Sequence, residues 1–173
     1  MNTKEAPIPD IQQVGSGLFD FALEREDIKW LLARLPADMD IKPGRVEYEL
    51  QILKIISVGW SIAYLIEAHP WKTALQELFW RSMQEFAQNL SSTTELMIGH
   101  DVNYFQVLKD RLDMYVAALE DNPDAVEPVQ IIGPAFAGAC GGGDNLTISM
   151  AGSKIFASVL AQVKAYLAAL DLC

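Results

Sequence analysis

Residues 46–68 read VEYELQILKIISVGWSIAYLIEA and are almost continuously apolar. The stretch is long enough to suggest a transmembrane helix, but Lys54 lies near its middle and three glutamates lie near its ends (Glu47, Glu49 and Glu67). Charged residues at these positions disfavour a membrane span. In a soluble bundle, a helix that is apolar all round is the most buried element. We therefore predict that this stretch is the central helix of an α-helical domain.

The segments on either side repeat apolar residues every three or four positions, which is typical of amphipathic helices. Helices are predicted over residues 11–22, 28–35, 70–90 and 102–119, with a final helix after Asp144. Residues 129–136 form a short apolar piece that Gly133-Pro134 should break. No stretch alternates with period two. The sequence therefore predicts an all-α, single-domain bundle of about five or six helices over residues 10–173, after a disordered segment over residues 1–9.

Composition and charge exclude several classes of function. Of the 173 residues, 51% are hydrophobic and 21% are charged, which excludes disorder for most of the chain. Thirteen basic and 23 acidic residues give a formal net charge of -10, which opposes binding to nucleic acid and to anionic membranes. Cys140 and Cys173 are too few for a disulfide framework. With no signal peptide at the N-terminus, we expect a cytoplasmic protein.

The segment from Gly133 to Gly152, GPAFAGACGGGDNLTISMAG, resembles a phosphate-binding loop only in its glycine content. It matches neither nucleotide-binding glycine motif, since Ser153 stands where the first motif needs lysine and Cys140 interrupts the second. Asp144 is the predicted N-cap of the final helix, and its charge disfavours a bound anion there. We predict a flexible connection between two helices. Cys140 is its only reactive group, and no basic residue lies nearby to activate the thiol.

Residues 59–63, GWSIA, resemble the nucleophile elbow of hydrolases, with alanine in place of the last glycine. No histidine follows His100, so the elbow lacks its later catalytic base, and no strands surround it. The alternative is a buried helix in which Gly59 admits a neighbouring side chain. We favour this alternative.

Metal-binding patterns are also weak. The chain has two histidines and no H-E-x-x-H motif. Glu95, His100 and Asp101 are the one set that could approach a metal ion, but capping of the helix after residue 101 already explains Asp101. We therefore predict no metal and no cofactor.

The final helix carries a second face made of small residues, which let helices approach closely. These are Ala151, Gly152, Ser153, Ala157, Ser158, Ala161, Ala165 and Ala168. Close packing inside one bundle explains such a face. The alternative is a seam between two copies of the chain.

Because the chain carries no complete catalytic set, we predict a non-enzymatic helical domain that acts through protein–protein contacts. Its partner would be a second copy, in a homodimer, or another protein. The alternative is a small-molecule-binding protein or an enzyme with a pocket near the Gly-rich loop 138–144. Aromatic residues of the two most apolar helices are either core or part of such a cleft. The predicted ligand-binding residues are Trp60, Trp71, His100, Cys140 and Asp144.

Overall fold

The structure, a computed structural model, describes residues 9–98 and 103–173, without the side chains of residues 94–98. These ranges contain seven α-helices and no strand, so the predicted all-α bundle is confirmed. The helices are α1 (Ile11–Leu23), α2 (Glu26–Leu32), α3 (Pro43–Leu65), α4 (Lys72–Ile98), α5 (Tyr104–Glu120), α6 (Val129–Ala139) and α7 (Leu146–Ala169). The disorder predicted for residues 1–9 falls almost wholly outside the described residues.

Helix α3 is the centre of the bundle and contacts all six other helices. Every residue from Ile52 to Gly59 is buried, which confirms the prediction of a central apolar helix. Two buried serines bond within the helix: the Ser57 hydroxyl donates to the Leu53 carbonyl at 2.6 Å, and the Ser61 hydroxyl donates to the Ser57 carbonyl at 2.7 Å. Ser61 is therefore a buried helix residue rather than a nucleophile at a strand-to-helix turn.

Gly59 allows α4 to approach α3. A Cβ atom at this position would overlap the Trp80 ring, so the predicted role of Gly59 is confirmed. On another side of α3, the Trp60 ring meets Phe156 of α7 edge to face, with ring centroids 5.8 Å apart. These aromatic contacts hold the C-terminal half of α3 between α4 and α7.

Residues 129–139 form one continuous helix, so the prediction of a break at Gly133-Pro134 was wrong. Pro134 is exposed. It has no backbone N–H group, so α6 lacks the hydrogen bond that this residue would otherwise donate. Gly133 and Gly152 lie where α6 and α7 approach each other. A Cβ at Gly152 would lie 2.6 Å from the Phe136 ring, and one at Gly133 would lie 2.7 Å from the Ser149 carbonyl oxygen. Burial against α7 therefore stabilises α6, and the predicted flexible loop is limited to the residues after Ala139.

Asparagine side chains cap the N-termini of α5 and α7. The Asn103 Oδ1 accepts from the Gln106 N–H at 3.0 Å, and the Asn145 Oδ1 accepts from the Ile148 N–H at 3.1 Å. The predicted cap Asp144 is exposed and lies one residue before the actual cap, while the predicted cap Asp101 lies outside the described residues. Asparagine and aspartate cap helices about equally well, so residue type alone does not determine which of the two neighbours caps α7.

Candidate functional site

The structure places Trp60 and Cys140, two of the residues that were predicted to bind a ligand, near opposite ends of α3. Trp60 lies near the C-terminal end of α3, and Trp71 precedes α4, where its backbone N–H donates to the His69 Nδ1 at 3.1 Å. Cys140 follows Ala139, whose carbonyl accepts from Arg45 in the first turn of α3 at 2.9 Å. Arg45 and Trp60 are about 22 Å apart along the helix.

The two remaining residues of the predicted set are Asp144 and His100. Asp144 is exposed in the loop before α7, and His100 lies outside the described residues. The binding role of the five residues stays a prediction.

Cys140 is buried at the C-terminal end of α6. Its burial raises the pKa of the thiol to about 12, and the nearby Glu49 carboxylate acts in the same direction. The thiol is therefore protonated at neutral pH and is a poor nucleophile. Arg45 and Arg111 oppose this shift less strongly than burial promotes it.

A buried ion pair links α3 to α5. The Arg111 Nε donates to the Glu49 Oε2 at 2.8 Å, and its Nη2 donates to the Oε1 at 2.7 Å. Glu49 is only 2% exposed, so this bidentate geometry satisfies a carboxylate that water does not reach. The partners are 62 residues apart in sequence. The only sequence signal for the pair was the glutamate inside an apolar stretch.

Tyr115 lies beside this pair and is also buried. Its hydroxyl has no hydrogen-bond partner within the described residues. Burial raises the pKa of the phenol, and the Glu49 carboxylate raises it further. The hydroxyl therefore stays protonated, but its donor and acceptor capacity is unused.

Lys54 is fully buried at the middle of α3. Its Nζ donates to the Glu24 carbonyl at 2.8 Å, pairs with the Asp27 carboxylate and lies 4.5 Å from the centre of the Phe21 ring. The lysine that disfavoured a membrane span in the sequence therefore fastens the turn between α1 and α2 to α3.

A cavity of about 590 Å³ lies between the end of α1, the first half of α3, α4 and α5. Its walls are mostly apolar or aromatic: Leu23, Tyr48, Phe86, Leu90 and Tyr104. Its polar lining includes Gln51 and the ion pair between Arg25 and Glu47. None of the described residues that line this cavity was among the predicted site residues, because the cavity forms from segments distant in sequence.

The outer face of α7 is mostly apolar, and it is exposed within the part of the chain that the structure describes. We define it by Leu146, Met150, Lys154, Ala157, Ala161, Ala165 and Ala168, all of which are exposed. Leu146 and Met150 are 79% and 62% exposed, and Trp30 of α2 beside them is 49% exposed. The opposite side of α7 belongs to the core. Within the described residues, α7 is the one helix long and apolar enough to cross a membrane by length and composition alone.

The predicted small-residue face of α7 therefore divides into two parts. Ala151 and Gly152 are buried, and Ser153 meets Gly133 of α6. Ala157, Ser158, Ala161, Ala165 and Ala168 face outward. The first part explains close packing inside the bundle. The second part is not explained by any contact within the described chain.

Acidic, cysteine and histidine side chains do not form a metal-binding group of three or more anywhere in the part of the chain that the structure describes. The weak set considered from sequence, Glu95, His100 and Asp101, lies outside the described side chains.

Comparison of the chain with protein-family models, with curated proteins and with solved structures finds no match. No relative therefore supplies a substrate or a partner. The surface and the cavities of the protein itself are the observations that bear on its function.

Proposed function

We propose that this protein is a non-enzymatic helical domain that forms a homodimer through the outer face of α7. The observation that carries the proposal is the apolar character of that face together with its exposure. Leu146 and Met150 are both more than half exposed. Large apolar side chains grouped on one exposed face typically mark an interaction surface.

The shape of the face supports a second copy as the partner. Its N-terminal half carries the large residues Leu146 and Met150, whereas its C-terminal half carries alanines. In an antiparallel pair of α7 helices centred between Ala157 and Ser158, Met150 would lie opposite Ala165 of the partner subunit. The same two-fold axis repeats the contact in reverse, as a closed dimer requires. Small residues at the crossing allow an axial separation of roughly 8 Å.

The charge of the face permits contact with a copy of this chain. The protein has a formal net charge of -10, so two copies repel each other over most of their surfaces. Helix α7 contains no acidic residue, and its only charged residues are Lys154 and Lys164. Two chains that meet along α7 therefore approach where their acidic groups are absent.

Trp30 extends the face with an aromatic ring. The Arg34 guanidinium lies 3.5 Å from the centre of this ring, and the Lys154 ammonium lies 5.7 Å from it. These cations hold the ring at the edge of the outer face. Partly exposed tryptophans of this kind often provide much of the binding energy of an interface.

Sedimentation velocity over a wide range of concentrations tests the proposal. We expect the wild-type protein to sediment as a dimer and Ala161→Glu to shift it toward monomer, because the substitution buries a charge in the seam. Ala74→Glu is the matched control, since Ala74 is also an exposed alanine and lies on α4. A wild-type protein that stays monomeric when concentrated would exclude the homodimer.

A second experiment distinguishes binding to a protein partner from binding to a lipid surface. Helix α7 has the length and composition of a membrane span, so the wild-type protein should also be mixed with neutral phosphatidylcholine vesicles and floated. If α7 serves a dimer, the protein stays at the bottom of the gradient. Flotation that Ala161→Glu abolishes would instead assign the face to lipid.

A further inference from the structure

We infer that the cavity between α1, α3, α4 and α5 binds an uncharged small molecule that carries aromatic rings and an N–H or O–H group. Its volume of about 590 Å³ falls within the range of roughly 300–1,000 Å³ typical of small-molecule sites. Tyr48 and Leu90 on its wall are about two-fifths exposed, so the cavity opens to the surface. No residue that lines it belongs to α7, so the inference is independent of the proposed dimer.

Aromatic contacts hold two walls of the cavity in place. The rings of Tyr48 and Tyr104 meet edge to face at 6.1 Å, and Phe86 meets Phe19 in the same way at 6.2 Å. Tyr104 is 6% exposed, which restricts its movement. A pocket with fixed aromatic walls loses little conformational entropy when a ligand enters. Rings of the ligand would contact these walls with the edge and face geometries that aromatic groups prefer.

The charges on the described wall of the cavity cancel. Among the described residues that line it, Arg25 and Glu47 are the charged ones, and they pair with each other. A charged ligand would lose hydration on entering the apolar interior and would have to compete with an existing partner for either group. An uncharged ligand avoids both costs.

Gln51 indicates where a polar group of the ligand belongs. Its amide Nε2 donates to the Ala22 carbonyl at 2.7 Å, which fixes the orientation of the amide. The Oε1 of the same amide is buried and has no donor within the described residues. A buried acceptor without a partner lowers stability, so a ligand N–H or O–H that reaches it gains affinity.

Titration with two fluorescent probes tests the charge requirement. N-phenylnaphthylamine is uncharged and has an N–H group, whereas anilinonaphthalene sulfonate adds a negative charge to the same ring system. We expect the uncharged probe to bind with at least roughly tenfold higher affinity, because the cation on the described wall of the cavity, Arg25, is already paired with Glu47. Equal or tighter binding of the sulfonate would overturn the inference.

Two matched variants locate the probe. Gly44 borders the cavity, Gly138 lies on the exposed side of α6, and an added Cβ meets nothing within 4 Å at either position. Gly44→Phe should place a ring in the cavity and lower the affinity for N-phenylnaphthylamine by about tenfold or more. Gly138→Phe should leave the affinity unchanged. If both variants bind the probe as the wild type does while keeping their helical circular dichroism, the cavity is not the site.

The hydrogen-bond requirement has its own test. Benzylnaphthalene carries a methylene group in place of the N–H group and can be measured by displacement of the fluorescent probe. We expect it to bind roughly threefold to tenfold more weakly than N-phenylnaphthylamine, since it leaves the Gln51 Oε1 without a donor. Equal affinities of the two molecules would contradict the role assigned to Gln51.

Discussion

Lys54 and Asp27 form an ion pair that joins the core helix to the start of α2. The Lys54 Nζ lies 3.0 Å from the Oδ1 and 2.9 Å from the Oδ2 of Asp27. The lysine side chain is fully buried, while the aspartate side chain is 26% exposed. The Asp27 Oδ1 also accepts from the backbone N–H of Ile28 at 2.8 Å. One carboxylate therefore neutralises a buried cation and supports the first turn of a short helix.

Lys54→Met should lower the free energy of unfolding by about 3 kcal/mol, because it removes the partner of Asp27 and of the Glu24 carbonyl. The partial exposure of Asp27 keeps the loss at the lower end of the range for buried pairs. Chemical denaturation followed by circular dichroism measures the change. Lys42→Met is the control at an exposed lysine and should stay within about 0.5 kcal/mol of the wild type. Equal effects at the two positions would contradict this role of Lys54.

Gly59→Ala and Gly138→Ala should change stability in opposite directions. Both glycines are helical, and alanine is the better helix former by about 1 kcal/mol. A Cβ at Gly59 overlaps the Trp80 ring, so the first variant should lose about 1–3 kcal/mol. A Cβ at Gly138 meets nothing within 4 Å, so the second should gain up to about 1 kcal/mol. Thermal unfolding compares the two variants. If Gly59→Ala were more stable than the wild type, the Trp80 ring would have moved aside at little cost, which would contradict the expected clash.

Tyr115→Phe should leave the protein as stable as the wild type or stabilise it by up to about 1 kcal/mol. The substitution removes a buried hydroxyl that has no partner within the described residues and keeps the ring. Tyr64→Phe is the matched control, because Tyr64 is 68% exposed and its hydroxyl reaches water. A loss of more than about 1 kcal/mol in Tyr115→Phe alone would show that the hydroxyl does have a partner.

The two cysteines should differ in reactivity toward iodoacetamide. Cys173 is exposed, whereas Cys140 is buried and its pKa is raised to about 12. At mildly alkaline pH the native protein should be alkylated at Cys173 first, and Cys140 should react only after denaturation. Mass spectrometry of peptides from the labelled protein distinguishes the two sites. Rapid native labelling of Cys140 would contradict its burial.

The same thiol makes stability depend on alkaline pH. A thiol with an ordinary pKa near 9 in the unfolded chain ionises there first, while native Cys140 stays protonated up to a pKa of about 12. The native state therefore binds more protons in this interval, and the free energy of unfolding falls as the pH rises through it. We expect Cys140→Ala to lose less stability than the wild type between neutral pH and pH values above 9. If the free energy of unfolding fell equally with pH in both proteins, Cys140 would not contribute to the pH dependence.

The central helix could be predicted from sequence because its apolar residues are contiguous and need no knowledge of the rest of the chain. Helix α6 could not, since Pro134 is a helix breaker by local rules, and the helix is stabilised by packing against α7, α5 and α3, which the local sequence does not reveal. The Glu49–Arg111 ion pair and the cavity could not be predicted from sequence for a related reason. Both depend on which helices become neighbours, and residues so far apart in sequence leave no local pattern.

The position of α3 has a consequence for how the chain can be cut. Helix α3 contacts every other helix, so no subset of helices forms a hydrophobic core without it. We therefore expect limited proteolysis to yield no fragment that stays folded. A circular permutant whose new termini lie in the loop between α5 and α6 keeps α3 intact and should fold. A permutant whose new termini lie inside α3 divides this helix between the two ends of the chain and should not fold.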